Sequence, residues 1–237
     1  MVEITEYIQF MGFNSKNKNM YLISREAPTP QEKSITKSLP YQQGSLDFSM
    51  LLGERVFDMR EISYEFIIFD SIYSDRKIAE RKIKQDLMIH GQQKLYDTHD
   101  ASYYWLAKCK SVEVENDHRF NKLKAIIRFE CYPYMFRHGD YFDDFFDSFI
   151  LDDDVACYTK YAVNGSLEFI LYNNGTVSVK PDIIASSSFK VTINDDTANI
   201  TSSNPANYYL GWKPGENKVR VEGTGVIAFH YRIEVMG

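Results

Sequence analysis

The chain has 237 residues, 27 Lys and Arg against 33 Asp and Glu, a formal net charge of −6 and 44% apolar residues. That length suits two domains and buries a sizeable core without disulfide or metal staples. The composition excludes a disordered chain, the acidic balance argues against a general nucleic-acid binder, and no apolar run approaches the ~18 residues of a membrane helix.

In chain order, residues 4–13 are apolar-rich and read as one strand. The start, Met1-Val2-Glu3-Ile4-Thr5-Glu6, has no basic segment, so no secretory signal is expected. Ser15-Lys16-Asn17-Lys18-Asn19 makes a polar turn, and residues 20–23 resume as a strand. A loop with Ala27-Pro28-Thr29-Pro30 follows, then a short strand at 35–39. Residues 59–69 alternate: Ile62, Tyr64, Phe66 and Ile68 face one way, Glu61, Ser63 and Glu65 the other. Period two is the mark of a half-buried strand.

Residues 74–90 form the one convincing helix. Ser74 is placed to cap it, and Asp75 favours the positive end of its dipole. Ile78, Ala79, Ile83, Leu87 and His90 make the expected core stripe, with Arg76, Lys77, Glu80, Lys84 and Asp86 on the solvent side and Gly91 as the stop. The basic face reads as a solvated helix surface, with an acidic partner as the alternative. Strands return at 103–108, 112–115 and 122–131, with Asn116-Asp117 opening a turn.

Residues 132–154 crowd aromatic and acidic side chains together. Tyr141, Phe145 and Phe149 recur every four residues, as do Phe142 and Phe146, which suits a short amphipathic helix. The stretch reads as an interdomain connector. From 155 to 237 short strands alternate with turn signals: Asn164-Gly165, Asn173-Asn174-Gly175, Asn194-Asp195-Asp196 and Lys213-Pro214-Gly215-Glu216. Val219 and Val221 read as one strand, and Ile227, Phe229, Tyr231 and Ile233 as another. A small sandwich or jelly roll is expected. The expected domains are 1–139, a connector at 140–154, and 155–237. The fold class is mainly β, α+β in the first domain.

Chemistry is hard to find. Cys109, Cys131 and Cys157 are too few and too scattered for a disulfide framework or a CxxC knuckle, and read as reduced, buried thiols of a protein made in a reducing cytosol. His90, His99, His118, His138 and His230 show no metal spacing, and His230 reads as an exposed strand residue. A Cys131–His138 dyad lacks anything local to polarise the thiol. Asp152-Asp153-Asp154 lacks the framing of a calcium loop. Trp212, with Tyr208 and Tyr209, is a candidate sugar platform, against simple packing on the adjoining turn. The Asn164, Asn174 and Asn199 triplets fit a glycosylation pattern but read as turn chemistry. No catalytic, cofactor-binding or metal-ligating residue is assigned.

Tyr41, Gly44, Asp47, Ser49 and Gly53, followed by Arg60 and Ile62-Ser63-Tyr64-Glu65-Phe66, resemble the N-terminal signature of phage distal tail proteins. Ile127-Arg128-Phe129-Glu130-Cys131-Tyr132-Pro133-Tyr134 resembles the end of that family's first domain, and Lys213-Pro214-Gly215-Glu216-Asn217-Lys218-Val219 a late hairpin of its second. The resemblance implies a non-enzymatic hub of the virion tail tip: a homohexameric ring of N-terminal domains with a hairpin arm, and galectin-like C-terminal sandwiches outside. The implied partners are the tail tube protein above, the tail-associated baseplate or spike protein below, and a receptor-binding protein. It implies no cofactor, nucleic-acid specificity or membrane span. The arm is expected around residues 27–40. The alternatives are a carbohydrate-binding adhesion module using Trp212, Tyr208 or Tyr209, and a cell-wall hydrolase using Asp143 or Asp152.

The charge is unevenly spread. Residues 1–139 hold 20 basic and 19 acidic residues and 155–237 hold seven of each, so the seven acids at 140–154 account for the −6 (1 − 7 + 0).

Overall fold

The computed structural model describes residues 3–51, 53–69, 72–137, 159–202 and 210–237. The expected connector at 140–154, with His138, Cys157, Tyr208 and Tyr209, lies outside the described residues. The chain is mainly β and divides into two compact units: Met1–Met135 with Met236–Gly237, and Phe136–Val235.

The first unit holds β1 (Ile8–Phe10), β2 (Phe13–Asn14), β3 (Tyr21–Glu26), β4 (Thr36–Lys37), β5 (Leu46–Asp47), β6 (Arg60–Phe69), α1 (Tyr73–Met88), β7 (Gln93–Asp97), β8 (Tyr103–Asp117) and most of β9 (Lys122–Arg137). Its main sheet runs in the order β2-β1-β7-β8-β9-β6-β3, and β4 pairs with β5 apart from it. The expected alternation of β6 is observed: Ile62, Tyr64 and Phe66 are fully buried and Glu61 is exposed. They pack with Leu123, Ala125, Ile127 and Phe129 of β9, Trp105 and Ala107 of β8, and Ile83 and Leu87 of α1. The opposite face carries matched charges: Lys110–Glu61 at 2.7 Å, Lys124–Glu65 at 2.9 Å, and Arg128 with Glu113.

Five local expectations change here. Residues 4–13 are not one strand, because Met11 (φ 44°) and Gly12 (φ 82°) fold β1 back on β2 with Phe10 opposite Phe13. Two positive φ values in a two-residue loop match the twist of a hairpin. Residues 103–115 are one strand, not two. The inward parity switches from Trp105, Ala107 and Cys109 to Val112 and Val114, and the sequence pattern reads that irregularity as a break. Tyr132, Tyr134 and Phe136 continue β9 and do not belong to the connector, with Tyr134 and Phe136 buried. The helix begins at Tyr73 with Ile72 at its N-cap and no side-chain cap, so Ser74 lies inside it. Arg76, expected outside, is buried, and Ile78, expected inside, is 40% exposed. Arg76 turns in because its guanidinium meets Asn116 at 3.0 Å and Asn121 at 3.5 Å beside the β8–β9 turn.

The second unit holds β10 (Lys160–Asn173), β11 (Asp182–Ala185), β12 (Phe189–Ile193), β13 (Asp196–Ile200), β14 (Gly215–His230) and β15 (Glu234–Val235). Among the described residues it is organised by one five-stranded antiparallel sheet, β10-β14-β12-β13 with β11 also on β14. Asn164-Gly165 is not a turn, and Val219, Val221, Ile227 and Phe229 lie on the one strand β14, which ends before Tyr231 and Ile233. Gly165 sits inside β10 opposite Gly223 of β14. β11 and β12 share one register along β14, Ala185 opposite Ile227 and Phe189 opposite Gly223. Between them Ser186 Oγ accepts from Val226 N at 2.8 Å, and Ser187 Oγ donates to the Thr224 carbonyl at 2.6 Å. Gly223 (φ 152°) and Gly225 (φ 141°) take backbone conformations that a side chain disfavours, and a Cβ on Gly223 would lie 2.6 Å from Phe189. The glycines therefore interrupt the regular strand geometry without ending the strand, while Leu171, Val191, Trp212, Ile227 and Phe229 share one core. Two buried asparagines pin the turns. Asn217 bonds Lys213 N (2.9 Å) and Lys213 O (2.7 Å), and Asn173 bonds Trp212 O (3.1 Å) and Gly175 N (2.8 Å).

Candidate functional site

Between β3 and β6 the chain leaves the closed core of the first unit. Between residues 31 and 58 the chain runs out and back, paired at Glu32 with Phe57 and again at β4 with β5. At the base of this arm Lys33 N donates to Val56 O (2.8 Å) and Asp58 N to Gln31 O (2.9 Å), and farther out Phe48 N donates to Ile35 O (2.8 Å). Asp47 and Ser49 set a corner. Asp47 Oδ1 accepts from Ser49 N at 2.8 Å, and Ser49 Oγ accepts from Ile35 N at 2.9 Å. The Ser49 hydrogen bonds hold the Asp47 carboxyl below its ordinary pKa. Tyr41 (φ 66°), Gly44 (φ 80°) and Gly53 (φ 83°) make the reversals. Thus Tyr41, Gly44, Asp47, Ser49 and Gly53, the first residues of the family resemblance, have backbone or corner roles in this arm. The arm was expected at 27–40; it runs to residue 58, because the returning strand at 46–58 completes it.

Its side chains are the unusual part. Residues 35–59 hold nine of the 21 exposed large apolar residues among those described, including Tyr41 at full exposure, Leu51 at 75% and Met50 at 54%. A core-facing ribbon does not leave such a run in water, so the arm has the character of a contact surface.

Polar groups buried in the sheet secure the arm's root. Arg60, expected only as a landmark, is 3% exposed and lies over the Trp105 ring at 4.6 Å. Its guanidinium donates to the Ala27 carbonyl at 2.8 Å, where the arm leaves β3, and to the Gly237 carbonyl. Burial pulls its pKa below the ordinary arginine value. Arg25 on β3 reaches Asp97 on β7 (2.6 Å), although β6, β9 and β8 separate those strands in the sheet. Tyr64 donates to the same carboxylate at 2.8 Å, so the sheet is curled around this cluster. Burial raises the Tyr64 pKa well above its ordinary value, with the Asp97 charge adding to the shift. Burial lowers the Arg25 pKa, but the hydrogen bond and charge of Asp97 outweigh it and the net shift is upward. Sequence reading missed this cluster, although Arg60 shares the inward parity of Ile62 and Tyr64.

Among the described residues the remaining candidates do not converge. Burial pushes the Cys109 thiol up to about 11 and the Cys131 thiol up to about 12, which leaves no thiolate for the dyad reading. Trp212 is fully buried, edge-on to Tyr231 at 4.2 Å, so it is no sugar platform. His90 packs on Phe10 and His118 on Tyr73. His230 is half-buried, not exposed, and lines a cavity of about 470 Å³ with Lys180, Asp182, Arg232 and Glu234. Asn164 lies inside β10, and Asn199 on β13. Among the described residues no three His, Cys, Asp or Glu side chains gather as a metal site, and no helix is long and apolar enough to cross a membrane.

No family model matches the sequence, and no curated protein is recovered as a relative. Solved structures do match. The SPP1 Dit (gp 19.1) protein, described as a paradigm of the hub adsorption apparatus in phages infecting Gram-positive hosts, superposes with a TM-score of 0.66 at 11% identity, covering 97% of this chain and 99% of its own. The chain has the fold of a phage distal tail protein. A chain of the phage P2 baseplate, in its activated conformation with Ca, also matches, at a TM-score of 0.39 and 10% identity over 98% of each chain.

Proposed function

We propose that this protein is a non-catalytic hub of a bacteriophage tail tip, the distal tail component of a long, non-contractile tail. The reading has copies closing into a hexameric ring between the tail tube protein and the baseplate or spike protein, with a receptor-binding protein as a further partner. The second unit then serves as an outward galectin-like domain. The observation that carries the reading is the exposed apolar arm, in a chain whose fold is shared with the SPP1 Dit hub over nearly its whole length. Ring assembly joins unlike patches on successive copies, and an arm projecting apolar side chains is suited to that. The carbohydrate-binding alternative loses its Trp212 platform.

Light scattering and negative-stain imaging test the reading. A particle of about six times 27.6 kDa with a central opening is expected. Replacing residues 34–55 with a short Asn-Gly turn is expected to leave a folded monomer. Monomer at all concentrations, with no rings, overturns it.

A further inference from the structure

The side of α1 that faces away from the core carries a pattern of its own. Ile78, Arg81, Lys82, Gln85 and Ile89 recur along one line opposite the buried Arg76, Ile83 and Leu87, and all five are exposed, Ile89 to 74%. Among the described residues Arg81 and Lys82 enter no ion pair, whereas Lys84 is matched by Glu80 and Lys18 by Asp86. The nearby Lys77 ammonium lies over the exposed Tyr73 ring at 4.5 Å. The outer face of β6 and β9 is different, since its bases are already neutralised by Glu61, Glu65 and Glu113. The helix therefore offers unspent positive charge interleaved with isoleucine. Such a surface fits a segment that brings carboxylates and aromatic rings together.

Residues 140–154 have that chemistry: seven Asp, no Lys or Arg, and the rings of Tyr141, Phe142, Phe145, Phe146 and Phe149. We infer that the outward face of α1 receives the 140–154 segment of a neighbouring copy of this chain. The inference rests on the assembly reading, because a closing ring pairs one patch with a different patch on the next copy. It adds a second, charge-driven contact to the apolar arm. Such a contact orients the approach and is weakened by salt, whereas apolar burial is not.

Zero-length carbodiimide cross-linking of an equal mixture of unlabelled and ¹⁵N-labelled full-length protein tests it. Mixed-isotope links are expected between Lys77 or Lys82 and Asp140, Asp143, Asp144 or Asp147, and they should fade as salt rises. Arg81→Glu with Lys82→Glu is expected to remove the links and weaken self-association roughly tenfold. Adding Asp143→Lys and Asp144→Lys to that variant is expected to restore both. An assembled protein whose mixed links avoid these positions, links found only within one isotope, or no rescue by the charge swap overturns this inference and leaves the hub reading standing. A monomer with no mixed links overturns both.

Discussion

Two paired regions of this molecule start from similar ingredients and end differently. β10 and β14 pair along their whole length and place Leu171, Val221, Ile227 and Phe229 in a core. The arm at 31–58 is paired only by an isolated bridge at its base, Glu32 with Phe57, and by the short β4–β5 ladder, and it leaves Leu46, Met50 and Leu51 in water. The glycines separate the two. In the second unit Gly165 and Gly223 face each other in mid-ribbon, and Phe189 packs directly against Gly223. In the arm Gly44 and Gly53 sit only where the chain reverses, with open space around them. Apolar side chains on a ribbon without a core of its own imply that the missing contact comes from another molecule.

Gly223→Val carries the largest expected effect. A side chain at φ 152°, overlapping Phe189, is expected to remove about 3 kcal/mol or more of stability, read as a lower urea midpoint. No loss of stability would mean that close packing at this glycine does not matter. Next comes the arm's root. Asp97→Ala strips the partner from the half-buried Arg25 and from the buried Tyr64, and a loss of about 3 kcal/mol is expected by urea titration. Leu46→Glu with Leu51→Glu should act oppositely: monomer stability stays within about 0.5 kcal/mol while assembly is lost by light scattering. If the pair unfolds the monomer instead, the arm packs on its own unit.

At neutral pH the smallest effect is that of Cys131. Its thiol is raised by burial from 9.0 to about 12 in the folded protein, so its contribution to stability is complete below pH 9 and disappears as pH climbs towards 12. Urea titrations across that range should show an alkaline loss that Cys131→Val reduces, with little difference between the two proteins at pH 7.

The legibility of the sequence followed periodicity. β6 could be read residue by residue because every second side chain faces a continuous core. The Asp47–Ser49 corner and the reversals at Gly44 and Gly53 were legible as landmarks, since particular backbone conformations demand particular residues. The full arm was not legible, because pairing of 31–37 with 46–58 is set by register across a loop and leaves no periodic trace. The same limit hid the continuity of β8 and β14, where a parity switch and a pair of glycines imitate strand ends.

By itself, then, the sequence determined a mainly β chain with one helix, the inward faces of its regular strands, and the concentration of negative charge at 140–154. These depend on local spacing and composition. The burial of Arg60 and Asp97 with Arg25 half-buried beside them, the sealing of Trp212 from solvent, and the exchange by which Ile78 looks outward and Arg76 inward are set by the tertiary structure. A polar side chain is buried when distant residues supply its hydrogen bonds, and an apolar one is exposed when the core beneath it is already full; both conditions are properties of the assembled fold.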